Sequence, residues 1–174
     1  MADYAFKVIL IGPGAVGKTS LLDRFVHNKF SERYELTIGV DFLSKDVEVN
    51  GLNIRMTIWD VGGQERFKFM RNRFYDGANG ALLVFDLTRS NTYTEIKKWL
   101  KEFQQHAGSN VPFVLIGNKK DLVENIGEII ESKDAKKFAE EKNSIYIETS
   151  AKTGVNVEDS FIGLAQKMVK PFKK

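Results

Sequence analysis

The sequence predicts an α/β fold in which a mostly parallel β-sheet carries helices on both faces. Short apolar runs, typical of buried strands, alternate along the 174 residues with segments whose apolar residues recur at helical spacing. No repeat or low-complexity stretch is present, and no linker rich in proline, glycine or serine divides the chain. We therefore expect one domain over residues 1–174.

The elements can be placed in order along the chain. Residues 6–11 form an apolar run that only Lys7 interrupts and that ends at glycines, which predicts a buried strand. Further buried strands are predicted at residues 81–85, 113–116 and 145–147. Three helical faces are formed by Leu21, Leu22, Phe25 and Val26, by Ile96, Trp99, Leu100 and Phe103, and by Phe161, Leu164, Ala165 and Met168.

One segment predicts a β-hairpin instead, because Asn50-Gly51 separates two runs of alternating polarity. A two-residue turn at this point pairs Phe42 with Trp59 across the hairpin. Both aromatics then fall on the polar, water-facing side. Two large aromatic side chains facing each other there indicate a partner-binding patch, and the alternative is that a neighbouring loop covers them.

Composition excludes several classes of function. Lys and Arg number 26 against 23 Asp and Glu, and the basic residues are scattered, so we expect no nucleic-acid partner. The chain has no cysteine, which excludes disulfides, thiolate catalysis and zinc–thiolate clusters. We find no signal peptide, apolar span or lipidation site, so we expect a cytoplasmic protein without its own membrane anchor. Peripheral membrane association would then need an adaptor or a lipidated tail that has been removed.

The first strand is followed by the glycine-rich segment GPGAVGKT at residues 12–19 and then by a helix. In this context glycines let backbone N–H groups turn inward around a phosphate, and the helix start adds unpaired donors. Lys18 is placed to bridge β- and γ-phosphate oxygens, and the Thr19 hydroxyl to ligate Mg²⁺. This loop predicts a nucleoside triphosphate site; the alternative is a glycine-rich turn without function. Its candidate phosphate-binding residues are Gly12, Gly14, Ala15, Val16, Gly17, Lys18, Thr19 and Ser20.

Other polar segments also follow predicted strands. Asp60 closes the second hairpin strand, Asn118 follows the strand at 113–116, and Ser150 follows the strand at 145–147. Ligands of open α/β sheets bind at the carboxyl ends of the strands, so these residues should lie beside the glycine-rich loop. Beside such a loop, Asp60 is the expected carboxylate that holds Mg²⁺ through water.

The segments NKKD (residues 118–121) and SAK (residues 150–152) favour guanine over adenine. The Asp121 carboxylate can accept hydrogen bonds from N1–H and the 2-amino group of guanine, whereas adenine would leave it buried and unpaired. Asn118 can contact the N7 side, the Lys119 stem can lie over the ring, and the Ala151 N–H can meet the 6-oxo group. The candidate guanine-binding residues from these segments are Asn118, Lys119, Asp121, Ser150, Ala151 and Lys152.

On these segments the chain resembles the small GTPases of the Ras superfamily, and most of all their Rab branch, from about residue 4 to residue 169. TIGVDF at residues 37–42 is similar to the Rab switch I segment, and WD at residues 59–60 is similar to the start of switch II. The resemblance implies a P-loop NTPase fold, the small G domain. That fold has a six-stranded, mostly parallel sheet with one antiparallel hairpin strand, flanked by about five helices.

The resemblance also implies roles for individual residues. Thr37 matches the switch I threonine that ligates Mg²⁺ and contacts the γ-phosphate, and Tyr34 matches a tyrosine that closes over the phosphates. Gly63 matches a glycine whose N–H meets the γ-phosphate, and Gln64 matches the glutamine that orients the attacking water. The implied catalytic residues are Gln64, Lys18, Thr37 and Gly63. Phe30 matches the aromatic that packs on guanine. Phe42, Trp59 and Phe74 match the aromatic triad that Rab effectors bind.

Three features depart from the Rab pattern. Val61-Gly62 resembles the Arf branch, residues 75–78 lack the usual arginine, and there is no cysteine for prenylation.

The function implied is a molecular switch that binds GTP and GDP with Mg²⁺ and hydrolyses GTP slowly. It would act as a monomer with an exchange factor, a GTPase-activating protein and effectors, and the resemblance to the Rab branch implies a role in vesicle trafficking. Two alternatives stay open: a guanine-nucleotide-binding scaffold that has lost hydrolysis, and a P-loop ATPase or kinase.

Overall fold

A computed structural model describes residues 1–127, 130 and 132–172 of the chain. It contains a six-stranded sheet in the order β2-β3-β1-β4-β5-β6. The strands are β1 (Tyr4–Ile11), β2 (Val40–Val49), β3 (Leu52–Val61), β4 (Gly80–Asp86), β5 (Phe113–Asn118) and β6 (Ile145–Glu148). Only β2 and β3 pair in antiparallel fashion, and the other pairs of neighbouring strands in the sheet are parallel. The predicted fold class is confirmed.

Seven α-helices occur in the part of the chain that the structure describes. They are α1 (Lys18–His27), α2 (Lys68–Tyr75), α3 (Ser90–Thr94), α4 (Ile96–Ala107), α5 (Lys120–Ile126), α6 (Ser132–Glu141) and α7 (Val157–Val169). Five of these helices have eight or more residues and correspond to the expected number. The other two, α3 with five residues and α5 with seven, are too short to give a periodic signal. None of the described helices has the length and apolar character needed to cross a bilayer.

The hairpin has the register that the Asn-Gly turn predicts. Phe42 lies opposite Trp59, and Asp46 lies opposite Arg55. Along β3, Ile54 and Met56 are fully buried while Arg55 between them is exposed, as the alternating pattern requires. A slip of one residue would expose the apolar set, so burial of this face fixes the pairing.

The sheet separates two hydrophobic cores. Along β1, Val8 and Leu10 enter the core that α1 and α7 cover, whereas Ile9 and Ile11 enter the core on the opposite face. In the first core Phe25 of α1 stacks on a ring of α7, with the centroids 3.9 Å apart. Because the central strands are buried on both faces, their carboxyl ends are held rigidly. The loops that follow those ends carry the polar segments of the sequence.

Candidate nucleotide-binding site

A cleft of about 610 Å³ opens at the carboxyl edge of the sheet. Most of the predicted site residues line it: Gly14, Ala15, Gly17, Lys18, Thr19, Ser20, Phe30, Tyr34, Thr37, Gly63, Gln64, Asn118, Lys119, Asp121, Ala151 and Lys152. The other predicted phosphate, metal and guanine residues, Gly12, Val16, Asp60 and Ser150, lie just behind the lining and hydrogen-bond to it. The predicted effector residues Phe42, Trp59 and Phe74 lie outside the cleft. The structure therefore brings the predicted phosphate, metal and guanine residues together in one cleft.

The loop between β1 and α1 (residues 12–17), here called the phosphate loop, needs glycine at two positions. Gly12 has φ +143°, and a Cβ there would lie 2.2 Å from the Val84 carbonyl oxygen on β4. Gly17 has φ +96°, and a Cβ there would lie 2.3 Å from the side-chain nitrogen of Asn118. The loop thus passes directly over the sheet edge before α1 begins, and the start of that helix faces the cleft.

Lys18, the first residue of α1, places a buried cation against this loop. Its Nζ donates hydrogen bonds to the carbonyl oxygens of Gly12, at 2.8 Å, and Pro13, at 2.7 Å. Burial lowers the pKa of Lys18 to about 8, and the charge of Asp60 offsets part of this effect. A charged group that is desolvated and bonded to neutral carbonyls gains most from an anion, so the site fits a phosphate.

Side-chain oxygen atoms from α1, from the segment before β2 and from β3 meet beside Lys18. The hydroxyls of Thr19 and Thr37 are 2.8 Å apart, and the Thr19 hydroxyl also donates to Oδ2 of Asp60. Asp60 is 1% exposed, its Oδ1 has no hydrogen-bond partner, and burial raises its pKa. A cation would relieve this unpaired carboxylate, and hard oxygen donors are the ligands that Mg²⁺ takes. The residues present fit Mg²⁺.

Asn118 joins the phosphate end of the cleft to its base end. The side-chain amide nitrogen donates to the Val16 carbonyl at 3.0 Å. Its oxygen accepts from the Thr149 hydroxyl at 3.0 Å and from the Ala151 N–H at 3.3 Å. Nearby, the Ser150 hydroxyl donates to Oδ1 of Asp121 at 2.7 Å and orients that carboxylate.

Lys119 holds the loop between β1 and α1, and it also contacts Asp86, a residue that the sequence pattern did not predict for the site. Its Nζ donates to the Ala15 carbonyl and to Asp86, each at 2.9 Å. Asp86 ends β4, is 1% exposed, and also accepts from Arg89 Nε at 3.0 Å. Arg89 in turn donates to the carbonyls of Gly14, at 3.2 Å, and Ala15, at 2.8 Å. Asp86 follows a buried strand just as Asn118 does, so the same rule could have found it.

The segment after β3 lies against the phosphate loop. A Cβ on Gly63 would lie 2.7 Å from the Gly12 carbonyl oxygen and from the Gly14 nitrogen. The Gly62 N–H donates to the Gly39 carbonyl at 3.0 Å, which links the two segments that follow α1 and β3. Gln64 lines the cleft directly after this contact.

A buried ion pair lies beneath Gln64. Arg71 of α2 donates from Nε and Nη2 to the carboxylate of Glu102 on α4, at 2.9 and 3.1 Å. Its Nη1 donates to the Gln64 carbonyl at 2.7 Å, and its guanidinium lies 4.3 Å from the Trp99 ring centroid. Arg71 is 1% exposed. The pair therefore connects the Gln64 backbone to α4.

The three aromatic residues form a continuous cluster. The Phe42 and Trp59 rings have centroids 4.9 Å apart, and those of Trp59 and Phe74 are 5.4 Å apart. Lys7 Nζ lies 5.2 Å from the Trp59 ring. Phe42 is 55% exposed and open to a partner. Trp59 and Phe74 are half-buried against the second core, so Trp59 is less exposed than the hairpin pattern predicts, because Phe74 of α2 packs on it.

Comparison with known proteins identifies the class that this fold and cleft define. Residues 7–170 match the Ras family model, and the chain belongs to the Ras family. Its relatives include the Ras-related protein YPTC6 of Chlamydomonas reinhardtii, which is 45% identical over 91% of this chain and 73% of its own length. The Ras-related protein RABA4b of Arabidopsis thaliana is 44% identical over 91% of this chain and 70% of its own length.

The protein is a small GTPase of the Rab-like kind. It binds GTP and GDP with Mg²⁺ and hydrolyses GTP, and proteins of this family act with exchange factors, GTPase-activating proteins and effectors. The ATPase or kinase alternative is therefore wrong.

The Arg71–Glu102 pair generates a stability prediction. Arg71→Met leaves Glu102 buried without a counter-charge, so the free energy of unfolding should fall by about 3–5 kcal/mol. The double variant Arg71→Met/Glu102→Leu removes both charges and should lose much less. Urea unfolding at saturating GDP measures both, and Arg55→Met, which breaks an exposed pair, is the matched control. Equal losses in the single and double variants would contradict the buried-charge explanation.

Proposed function

We propose that residues 1–174 form one G domain that works as a GTP/GDP switch, with the site residues in the roles predicted above. The observation that carries this proposal is the single cleft. In it, Lys18 and the Thr19–Thr37–Asp60 oxygens lie at one end, and Asp121 and the Ala151 N–H lie at the other. Asn118 links the two ends through its three hydrogen bonds.

At the base end, Asp121 accepts hydrogen bonds from N1–H and the 2-amino group of guanine. The Ala151 N–H donates to the 6-oxo group, and its present bond to Asn118, at 3.3 Å, is long enough to yield to a better acceptor. Phe30 and the Lys119 stem lie on the ring. Asn118 contacts the N7 side, while Ser150 orients the Asp121 carboxylate and Lys152 closes the cleft.

At the phosphate end, the N–H groups of residues 14–20 surround the diphosphate and Lys18 contacts the β- and γ-phosphates. Thr19, Thr37 and, through water, Asp60 would hold Mg²⁺, which would supply positive charge to the phosphate oxygens when bound. The Gly63 N–H donates to the γ-phosphate and Tyr34 closes over it. Gln64 orients the water that attacks in line. Unassisted turnover should be on the order of 10⁻⁴ to 10⁻² s⁻¹.

Loss of the γ-phosphate releases Thr37 and Gly63, which changes the surface around Phe42, Trp59 and Phe74. We propose that effectors bind this aromatic cluster in the GTP state and that the protein serves vesicle trafficking, in keeping with its Rab-like relatives. It acts as a cytoplasmic monomer with its own exchange factor and GTPase-activating protein. An adaptor or a lipidated segment would bring it to a membrane.

The base contacts can be tested by changing one atom of the carboxylate. Asp121→Asn replaces an acceptor by an amide that can donate to the 2-oxo group of xanthine, so GDP affinity should fall by at least about 10³-fold while XDP affinity rises. Competition against a fluorescent nucleotide measures both affinities. Asp134→Asn, on the exposed part of α6, is the control and should change neither. An Asp121→Asn variant that keeps its preference for GDP would refute the assignment.

The catalytic role of the Gly63 segment can be tested separately. Gly63→Ala places a Cβ against phosphate-loop backbone, so the segment must withdraw and its N–H contact is lost. GTP hydrolysis should slow by at least about tenfold with GDP affinity retained. Single-turnover phosphate release measures this, and Gly163→Ala on α7 is the matched control. If Gly63→Ala hydrolyses GTP at the wild-type rate, the placement of Gly63 is wrong.

A further inference from the structure

Arg24 on α1 reaches a loop that is far away in the chain. Its Nε donates to the Ala151 carbonyl at 2.8 Å, across 127 residues, and its Nη2 donates to the Lys152 carbonyl at 2.5 Å. Its Nη1 donates to Asn28, to Oδ1 at 3.1 Å and to the carbonyl at 3.3 Å. A planar guanidinium with this many donors in use has a defined orientation.

These contacts fix the backbone around the Ala151 N–H. The two carbonyls that Arg24 holds belong to the two peptide groups that follow this N–H, and Asn118 holds the N–H itself at 3.3 Å. The Arg24 stem runs alongside Gly154 of the same loop, where an added Cβ would lie 3.6 Å from Arg24 Cδ. Arg24 of α1 thus holds the loop at the carbonyls of Ala151 and Lys152.

The helix that holds the loop is the one that begins at the phosphates. α1 starts with Lys18 and Thr19, and Arg24 lies on the same rigid element less than two turns later. On the cleft side, Lys152 Nζ forms an ion pair with Glu32 at 3.1 Å. The Lys152 backbone is therefore fixed by Arg24, while its side chain closes the base end of the cleft.

We propose that Arg24 is a specificity-determining positioning residue, which holds the Ala151 N–H against the 6-oxo group of a guanine nucleotide. It acts through the loop backbone and does not touch the base. This inference rests on the proposed function of the cleft. It adds that selection between purines depends on Arg24, a cation of α1, as well as on Asp121.

The test changes Arg24 and single atoms of the ligand together. Arg24→Met keeps the stem but removes all donors, and affinities for GDP, 6-thio-GDP and IDP are measured by competition against a fluorescent GDP. Sulfur accepts hydrogen bonds poorly, so wild-type protein should prefer GDP over 6-thio-GDP. In Arg24→Met the affinity for GDP should fall by about tenfold and this preference should shrink. The GDP-to-IDP ratio reports the 2-amino contact with Asp121 and should stay unchanged.

Two outcomes would overturn the proposal: wild-type affinities in Arg24→Met, or an equal loss for all three nucleotides, which would mean general loosening of the cleft. Arg24→Lys supplies a single charged nitrogen, which can reach fewer of these carbonyls than the guanidinium, and should restore part of the preference. If Arg24→Met does not fold, an unchanged preference in Arg24→Lys overturns the proposal. Arg55→Met is the matched control. Equal binding of ADP and GDP by wild-type protein would instead contradict the proposed function, and so the two failures are distinguishable.

Discussion

The Asn118 side chain is the contact on which the cleft depends. It ends the buried strand β5 and is 1% exposed. It bonds to the phosphate loop at Val16 and to the loop that follows β6, here called the base loop, at Thr149 and Ala151. A buried amide with all these partners satisfied rigidifies its surroundings, because each unpaired group would cost about 1–3 kcal/mol. Two loops separated by more than a hundred residues thus form one rigid surface.

Four cations of the site fix its loops in a similar way. Lys18, Lys119, Arg89 and Arg24 each donate to backbone carbonyls of the phosphate loop or the base loop. These bonds fix the peptide groups and thereby orient the N–H donors for a ligand before it arrives. Preorganised donors of this kind stabilise developing charge without reorganisation at the moment of reaction. Arg71 extends the arrangement to the Gln64 backbone.

Much of the fold and cleft could be predicted because the signals are local. Strand positions follow from apolar runs, the Phe42–Trp59 pairing from an Asn-Gly turn, and the meeting of Asp60, Asn118 and Ser150 from the geometry of parallel strands. The Arg71–Glu102 and Arg24–Ala151 contacts could not be predicted. The partners lie 31 and 127 residues apart, and Arg71, Glu102 and Arg24 are, taken alone, ordinary charged side chains of helices. Three-dimensional packing alone brings them together.

We propose that one preformed cleft selects guanine through Asp121 and Ala151 while Lys18 and the phosphate loop bind the diphosphate. The most direct measurement is displacement of a fluorescent GDP from purified protein by unlabelled GDP and by ADP. We expect ADP to be weaker by about 10⁴-fold or more, because adenine leaves a buried carboxylate unpaired. Displacement by ADP at the same concentration as GDP would contradict the account.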